Sequence, residues 1–81
     1  MSVVVYGREG CHLCTEATDV IRGLGVAFSE VDIETDERLL RRYLELIPVI
    51  EVDGRVVATV AYKPALIREA LAAEGYADGN E

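Results

Sequence analysis

Val3-Val4-Val5-Tyr6 is a continuous β-branched and aromatic run, and it constrains the fold more than any other segment. A strand that is apolar at consecutive positions suits a sheet covered on both faces. Gly7-Arg8-Glu9-Gly10 breaks the run, and helical spacing follows at once. Leu13, Ala17, Val20, Ile21 and Leu24 lie at steps of four, three, one and three, which places them on one face of a helix. Gly23 and Gly25 are its stop signals. A buried strand that feeds a helix and then a second strand predicts two parallel strands joined by a right-handed crossover.

The second strand is read over residues 26–33, with Val26, Phe28, Val31 and Ile33 as its core positions. Its alternation slips at Ser29-Glu30, which predicts a bulge or a partly exposed edge. Thr35 is placed as an N-cap, with Asp36 and Glu37 in the first turn, where the helix dipole favours acids. Leu39, Leu40, Tyr43, Leu44 and Ile47 form the apolar face of this second helix, and Pro48 ends it. Two β-branched runs, Val49-Ile50-Glu51-Val52 and residues 55–60, flank Asp53-Gly54. That dipeptide predicts a hairpin, because a type I′ turn needs positive φ at both central positions. Pro64 suits the first turn of a last helix. Leu66, Ile67, Ala70 and Leu71 make its inner face, and Gly75 its end. The predicted order is β-α-β-α-β-β-α, an α/β fold with a four-stranded mixed sheet and three helices. It occupies one domain over residues 1–76, followed by a polar tail at 77–81 that is expected to fray.

Bulk properties narrow the function. An 81-residue chain of this kind is one small domain, burying about 60% of its unfolded surface. An apolar content of 51% and a mean hydropathy of +0.18 exclude a disordered chain. No apolar run approaches the roughly 18 residues of a membrane span. The first residues carry no basic segment ahead of a long apolar core, so a cytoplasmic location is expected. The net charge of −7 opposes binding to nucleic acid. It serves solvation, or docking to a basic partner. Tyr6, Tyr43, Tyr62 and Tyr76 are read as packing residues, since no basic stripe accompanies them.

Cys11 and Cys14 are the only two cysteines. A disulfide framework would use more, spread along the chain. A pair three residues apart, where a strand ends and a helix begins, reads as a reactive site. The thiolate is the nucleophile, and the unpaired N–H groups and dipole of a helix start stabilise it. Cys11 is therefore the expected nucleophile, and Cys14, one turn on, the thiol that resolves a mixed disulfide. Arg8 stands where it would favour the thiolate or attract a substrate carboxylate; a solvated arginine is the alternative. His12 is either a tuning group or an exposed loop histidine. Ile47-Pro48 marks a turn or strand start and a position where a cis peptide is affordable.

In these residues the chain resembles the glutaredoxin branch of the thioredoxin superfamily. The matching pieces are Val5-Tyr6-Gly7-Arg8-Glu9-Gly10-Cys11-His12-Leu13-Cys14, Val31-Asp32-Ile33, Ile47-Pro48-Val49 and Ile50-Glu51-Val52-Asp53-Gly54. They follow the family's order and spacing over nearly the whole chain. The resemblance implies a thioredoxin-like fold and thiol–disulfide oxidoreductase activity through a redox-active Cys11–Cys14 disulfide. It implies that Pro48 is cis and faces the dithiol, and that Ile47 offers its backbone to the cysteine portion of a substrate. Arg8 and His12 complete the expected substrate-binding set. The implied partners are disulfide-containing proteins, with glutathione, another low-molecular-weight thiol or a thioredoxin-reductase-type enzyme as reductant. No tightly bound cofactor is expected, and the chain is expected to act as a monomer. The chain also departs from glutaredoxins. His12-Leu13 replaces their common Pro-Tyr, and Leu46-Ile47 their Thr-Val. Ala58-Thr59-Val60-Ala61-Tyr62 stands where they carry the Gly-Gly-x-Ser/Thr-Asp turn that holds a glutathione carboxylate. In these respects the chain is similar to small glutaredoxin-like proteins with Cys-His-Leu-Cys.

Two other functions fit a lone Cys-x-x-Cys. A metal site needs four ligands, and one chain offers Cys11, Cys14 and His12. Only a dimer would assemble four thiolates, for zinc or an iron–sulfur cluster, so no metal ligand set is expected within one chain. The other function is an interaction domain that has kept the fold and lost the chemistry.

Overall fold

The valine run becomes β1 (Val3–Gly7), and the remaining sheet is assembled on both its edges. These coordinates come from a computed structural model in which residues 2–76 are described; the expected fray at 77–81 lies outside them. α1 (His12–Gly23) follows β1 and leads to β2 (Ser29–Asp32). β2 pairs parallel with β1, Val5 opposite Glu30. A 3-10 turn over Ile33–Thr35 joins it to α2 (Glu37–Tyr43). β3 (Val49–Val52) returns antiparallel to the other edge of β1, with Val5 opposite Ile50. β4 (Arg55–Ala58) and α3 (Pro64–Ala73) complete the chain. The sheet order is β2-β1-β3-β4, so the mixed sheet with three helices is as predicted.

The two faces of the sheet bury different residues. Val3, Val5, Ile50 and Val52 pack with Ala17, Ile21 and Leu24, and with Ile67 and Leu71 of α3. Tyr6 packs into a second cluster containing Cys14, Ile33, Tyr43, Ile47 and Val49. Ile21, Ile33, Ile50, Leu71, Val49 and Val52 are fully buried, each worth about 1.5–3 kcal/mol in transfer free energy. The two cysteines thus belong to the smaller cluster, on the α2 side.

The hairpin forms where Asp53-Gly54 places it. Both residues have positive φ, 53° and 84°, as a type I′ turn requires. The Asp53 side chain also accepts from the Ser2 N–H at 2.8 Å, and its own N–H donates to the Ser2 carbonyl at 2.9 Å. The turn therefore pins the start of β1.

Several local expectations are corrected. Asp36, not Thr35, caps α2, accepting from the Arg38 N–H at 2.8 Å. Asp32 has already used the preceding turn, capping the 3-10 segment through the Glu34 N–H. β2 is shorter than residues 26–33: Val26 and Phe28 pack against the core from the approach to it, and Ile33 from just beyond it. β2 is an exposed edge strand, one of the two outcomes its slipped alternation allowed, and the bulge lies instead in β4, where Val57 is the extra residue between Val56 opposite Glu51 and Ala58 opposite Ile50. β4 stops at Ala58, short of residue 60. Leu13, Leu44 and Leu66, read as inner-face residues, are exposed. Leu13 and Leu66 lie in the first turns of α1 and α3, and Leu44 is the C-cap beyond α2, which stops at Tyr43, short of Pro48.

Candidate active site

β1 ends at Gly7, and Gly10, with φ of 81°, turns the chain back into α1. The Cys11 N–H donates to the Arg8 carbonyl at 3.3 Å, closing that turn. Cys11 is left in extended conformation as the N-cap of α1. Its Sγ accepts from the Cys14 N–H at 3.1 Å, the position a serine or aspartate oxygen takes in an ordinary cap. A sulfur at this point faces the positive end of the helix dipole. No acidic residue stands in the first turn of α1 to compete for it.

The two sulfurs stand at disulfide distance, with Cα atoms 5.2 Å apart. Their surroundings differ. Cys14 is only 7% exposed, whereas Cys11 is half-buried. A molecule approaching from solvent therefore meets the Cys11 sulfur first, with Cys14 behind it.

The expected substrate-binding residues lie around this pair. Arg8 precedes it on the β1–α1 loop, and its guanidinium pairs with Glu34 at 2.5 Å. His12 points into solvent, its side chain 84% exposed, with Nε2 2.7 Å from Glu16. The Ile47–Pro48 peptide is cis. Ile47 is buried in the same cluster as Cys14, and Pro48 lines a small cleft of about 240 Å³ with Leu13, Val60, Tyr62 and Lys63. On the other side an open groove of about 560 Å³ runs past Gly7, Arg8 and Cys14 to Glu30 and Asp32. α3 begins beside the cleft, and its N-cap Lys63 makes no side-chain cap hydrogen bond. Among the described residues, no group of three or more His, Cys, Asp and Glu side chains is arranged to hold a metal ion. No helix among them is long and apolar enough to cross a membrane.

Sequence reasoning missed a polar clamp beneath the site. The Glu51 carboxylate of β3 accepts from Tyr6 on β1 at 3.0 Å and from Tyr43 on α2 at 2.8 Å. The two rings are tilted, with centroids 5.1 Å apart. Burial, and then donation to Glu51, holds both phenols above their ordinary pKa of 10.0. A glutamate inside a β-branched strand run was the available signal. Gly7, read only as a strand breaker, is also part of the site, lying against Cys14.

A four-stranded sheet of this topology, with a cysteine pair opening the first helix, defines a glutaredoxin-like protein of the thioredoxin superfamily. Residues 2–74 match the Glutaredoxin-like domain (DUF836) family, and the chain belongs to it. Solved structures agree. The X-ray structure of target protein XcR50 from X. campestris is 28% identical, with a TM-score of 0.78 over 89% of this chain and 97% of that one. Protein Ne2328 from Nitrosomonas europaea is also 28% identical, with a TM-score of 0.75 over 90% and 88%. A glutaredoxin from Brucella melitensis shares the fold at 16% identity, with a TM-score of 0.67 over 100% and 92%. No curated protein matches the chain.

Proposed function

We propose that this protein is a thiol–disulfide oxidoreductase that exchanges its Cys11/Cys14 dithiol with disulfides of proteins or small thiols. The observation that carries this reading is the helix-capping position of the Cys11 sulfur, with the Cys14 N–H directed at it.

In the reducing direction the Cys11 thiolate attacks one sulfur of a substrate disulfide. A bond forms from Cys11 to that sulfur, and the other substrate sulfur leaves as a thiolate and takes up a proton. Cys14 then loses its proton and attacks Cys11 Sγ. The second substrate thiolate departs and is protonated, leaving the Cys11–Cys14 disulfide. Two electrons pass from the protein to the substrate. The half-buried and buried settings of the two sulfurs support this order of attack.

Ile47 and Pro48 form the wall along which the substrate's cysteine lies, and Arg8 and His12 flank its approach. Disulfide-containing proteins are the proposed substrates. The reductant is glutathione or a thioredoxin-reductase-type enzyme. The exposed Lys63 ammonium at the rim of the cleft beside Pro48 supports a carboxylate-bearing thiol, because a cation there attracts anions. The protein works as a monomer in the cytoplasm, without a tightly bound cofactor.

The test is the alkylation rate of Cys11 against pH, on reduced, metal-analysed Cys14→Ser protein. A midpoint well below the free-thiol value of about 8.5, with fast reaction near neutrality, is expected. A midpoint at or above that value, or a thiol protected until metal is stripped, overturns the redox function.

A further inference from the structure

Gly7 is the last residue of β1, and Cys14 packs directly on it. A Cβ at position 7 would stand 2.9 Å from Cys14 Sγ and 3.1 Å from Cys14 Cβ. Both distances are shorter than the roughly 3.5–4.0 Å optimum for non-bonded heavy atoms. Gly7 is not one of the glycines with positive φ, so its backbone conformation does not demand glycine. The space taken by Cys14 does.

We propose that Gly7 is a positioning residue for the redox couple: its missing side chain makes room for Cys14 Sγ in the disulfide state and so lowers the oxidising power of the pair. This rests on the oxidoreductase function proposed above. In the disulfide, Cys14 Sγ is tethered to Cys11, which is itself fixed as the cap of α1, so the sulfur cannot swing away from residue 7. In the dithiol that tether is gone and rotation about the Cα–Cβ bond can move Sγ away from residue 7, whereas the approach to Cys14 Cβ is the same in both states. A methyl group at position 7 therefore disfavours the disulfide more than the dithiol.

The equilibrium to measure is protein dithiol plus oxidised glutathione giving protein disulfide plus two reduced glutathiones. One S–S bond breaks in the glutathione disulfide and one forms between Cys11 and Cys14. Two electrons leave the protein sulfurs, and the two thiol protons end on the two glutathiones. Wild-type and Gly7→Ala full-length proteins are equilibrated across a series of glutathione buffers, quenched, and their oxidised fractions determined. The expected result is a constant shifted about tenfold toward the dithiol in Gly7→Ala, equivalent to about 30 mV for a two-electron couple. The denaturation midpoint reads the same preference independently: Gly7→Ala lowers it more in the disulfide form than in the dithiol form. An unshifted constant with equal losses in both forms overturns the positioning role, since a purely structural glycine affects both alike. Should Gly7→Ala fail to fold in either state, adding Cys14→Ala removes the nearest atom and is expected to restore folding; persistent failure overturns the proposal. A wild type that equilibrates normally separates failure of this proposal from failure of the oxidoreductase function. A wild type that forms no Cys11–Cys14 disulfide in any buffer overturns both.

Discussion

The Tyr43 hydroxyl donates a 2.8 Å hydrogen bond to the Glu51 carboxylate, joining α2 to the centre of the sheet. α2 is a short helix, ending at Tyr43 with the next residue, Leu44, exposed. Tyr43 is its buried residue, packed with Ile33, Ile47 and Val49, and Leu39 and Leu40 pack partly buried against the same cluster. Tyr6 takes the second carboxylate oxygen, so one side chain secures two elements beneath the cysteine pair. Glu51→Ala leaves both hydroxyls short of an acceptor. Stranding a buried donor costs about 1–3 kcal/mol, and Glu51→Ala is expected to lose that much in urea unfolding. Loss of less than half a kcal/mol would show that water replaces the carboxylate.

The same clamp predicts a response to alkali. Tyr6 and Tyr43 are raised above 10.0, through burial first and the Glu51 hydrogen bond next. The folded state thus binds their protons more tightly than the unfolded chain does. The resulting stability is complete below pH 10 and is lost as pH rises through the raised values. Unfolding free energy is expected to fall above pH 10, and to fall less in Tyr6→Phe/Tyr43→Phe. Parallel pH profiles for the two proteins would remove the linkage.

Arg8 is engaged by Glu34 rather than free. Both side chains are substantially exposed, and such pairs contribute about 0–1 kcal/mol. Glu34→Gln is therefore expected to leave the unfolding midpoint nearly unchanged. It releases Arg8 toward the mouth of the site. If Arg8 attracts substrate carboxylates, the rate of Cys11 with an anionic disulfide rises severalfold at low salt while the rate with a neutral disulfide stays level. Added salt should erase the gain. Equal rates with both reagents would assign Arg8 to the surface ion pair alone.

Much of the architecture was legible because it is decided locally. The valine run, the period change after Gly10 and the Asp53-Gly54 turn each reflect steric and burial rules that act within a few residues. The cysteine pair was legible for the same reason: a helix start and two thiols one turn apart are features of one short segment. The Asp36 cap was missed by one residue, where adjacent Thr and Asp offer equivalent caps and the preceding 3-10 turn selects between them. Leu13, Leu44 and Leu66 have helical spacing yet remain exposed, because periodicity gives a direction and not the extent of the surface covering it.

By itself the sequence determined the order of the elements, the hairpin turn and the pairing of two thiols at a helix start. The tertiary structure alone decided the contacts between distant segments: Tyr6 with Glu51, 45 residues apart, Arg8 with Glu34, and Cys14 against the bare backbone of Gly7. The reason is physical. Backbone conformation responds to neighbours along the chain, whereas a side chain's partner and the room around a sulfur depend on how the packed helices and strands bring remote residues together.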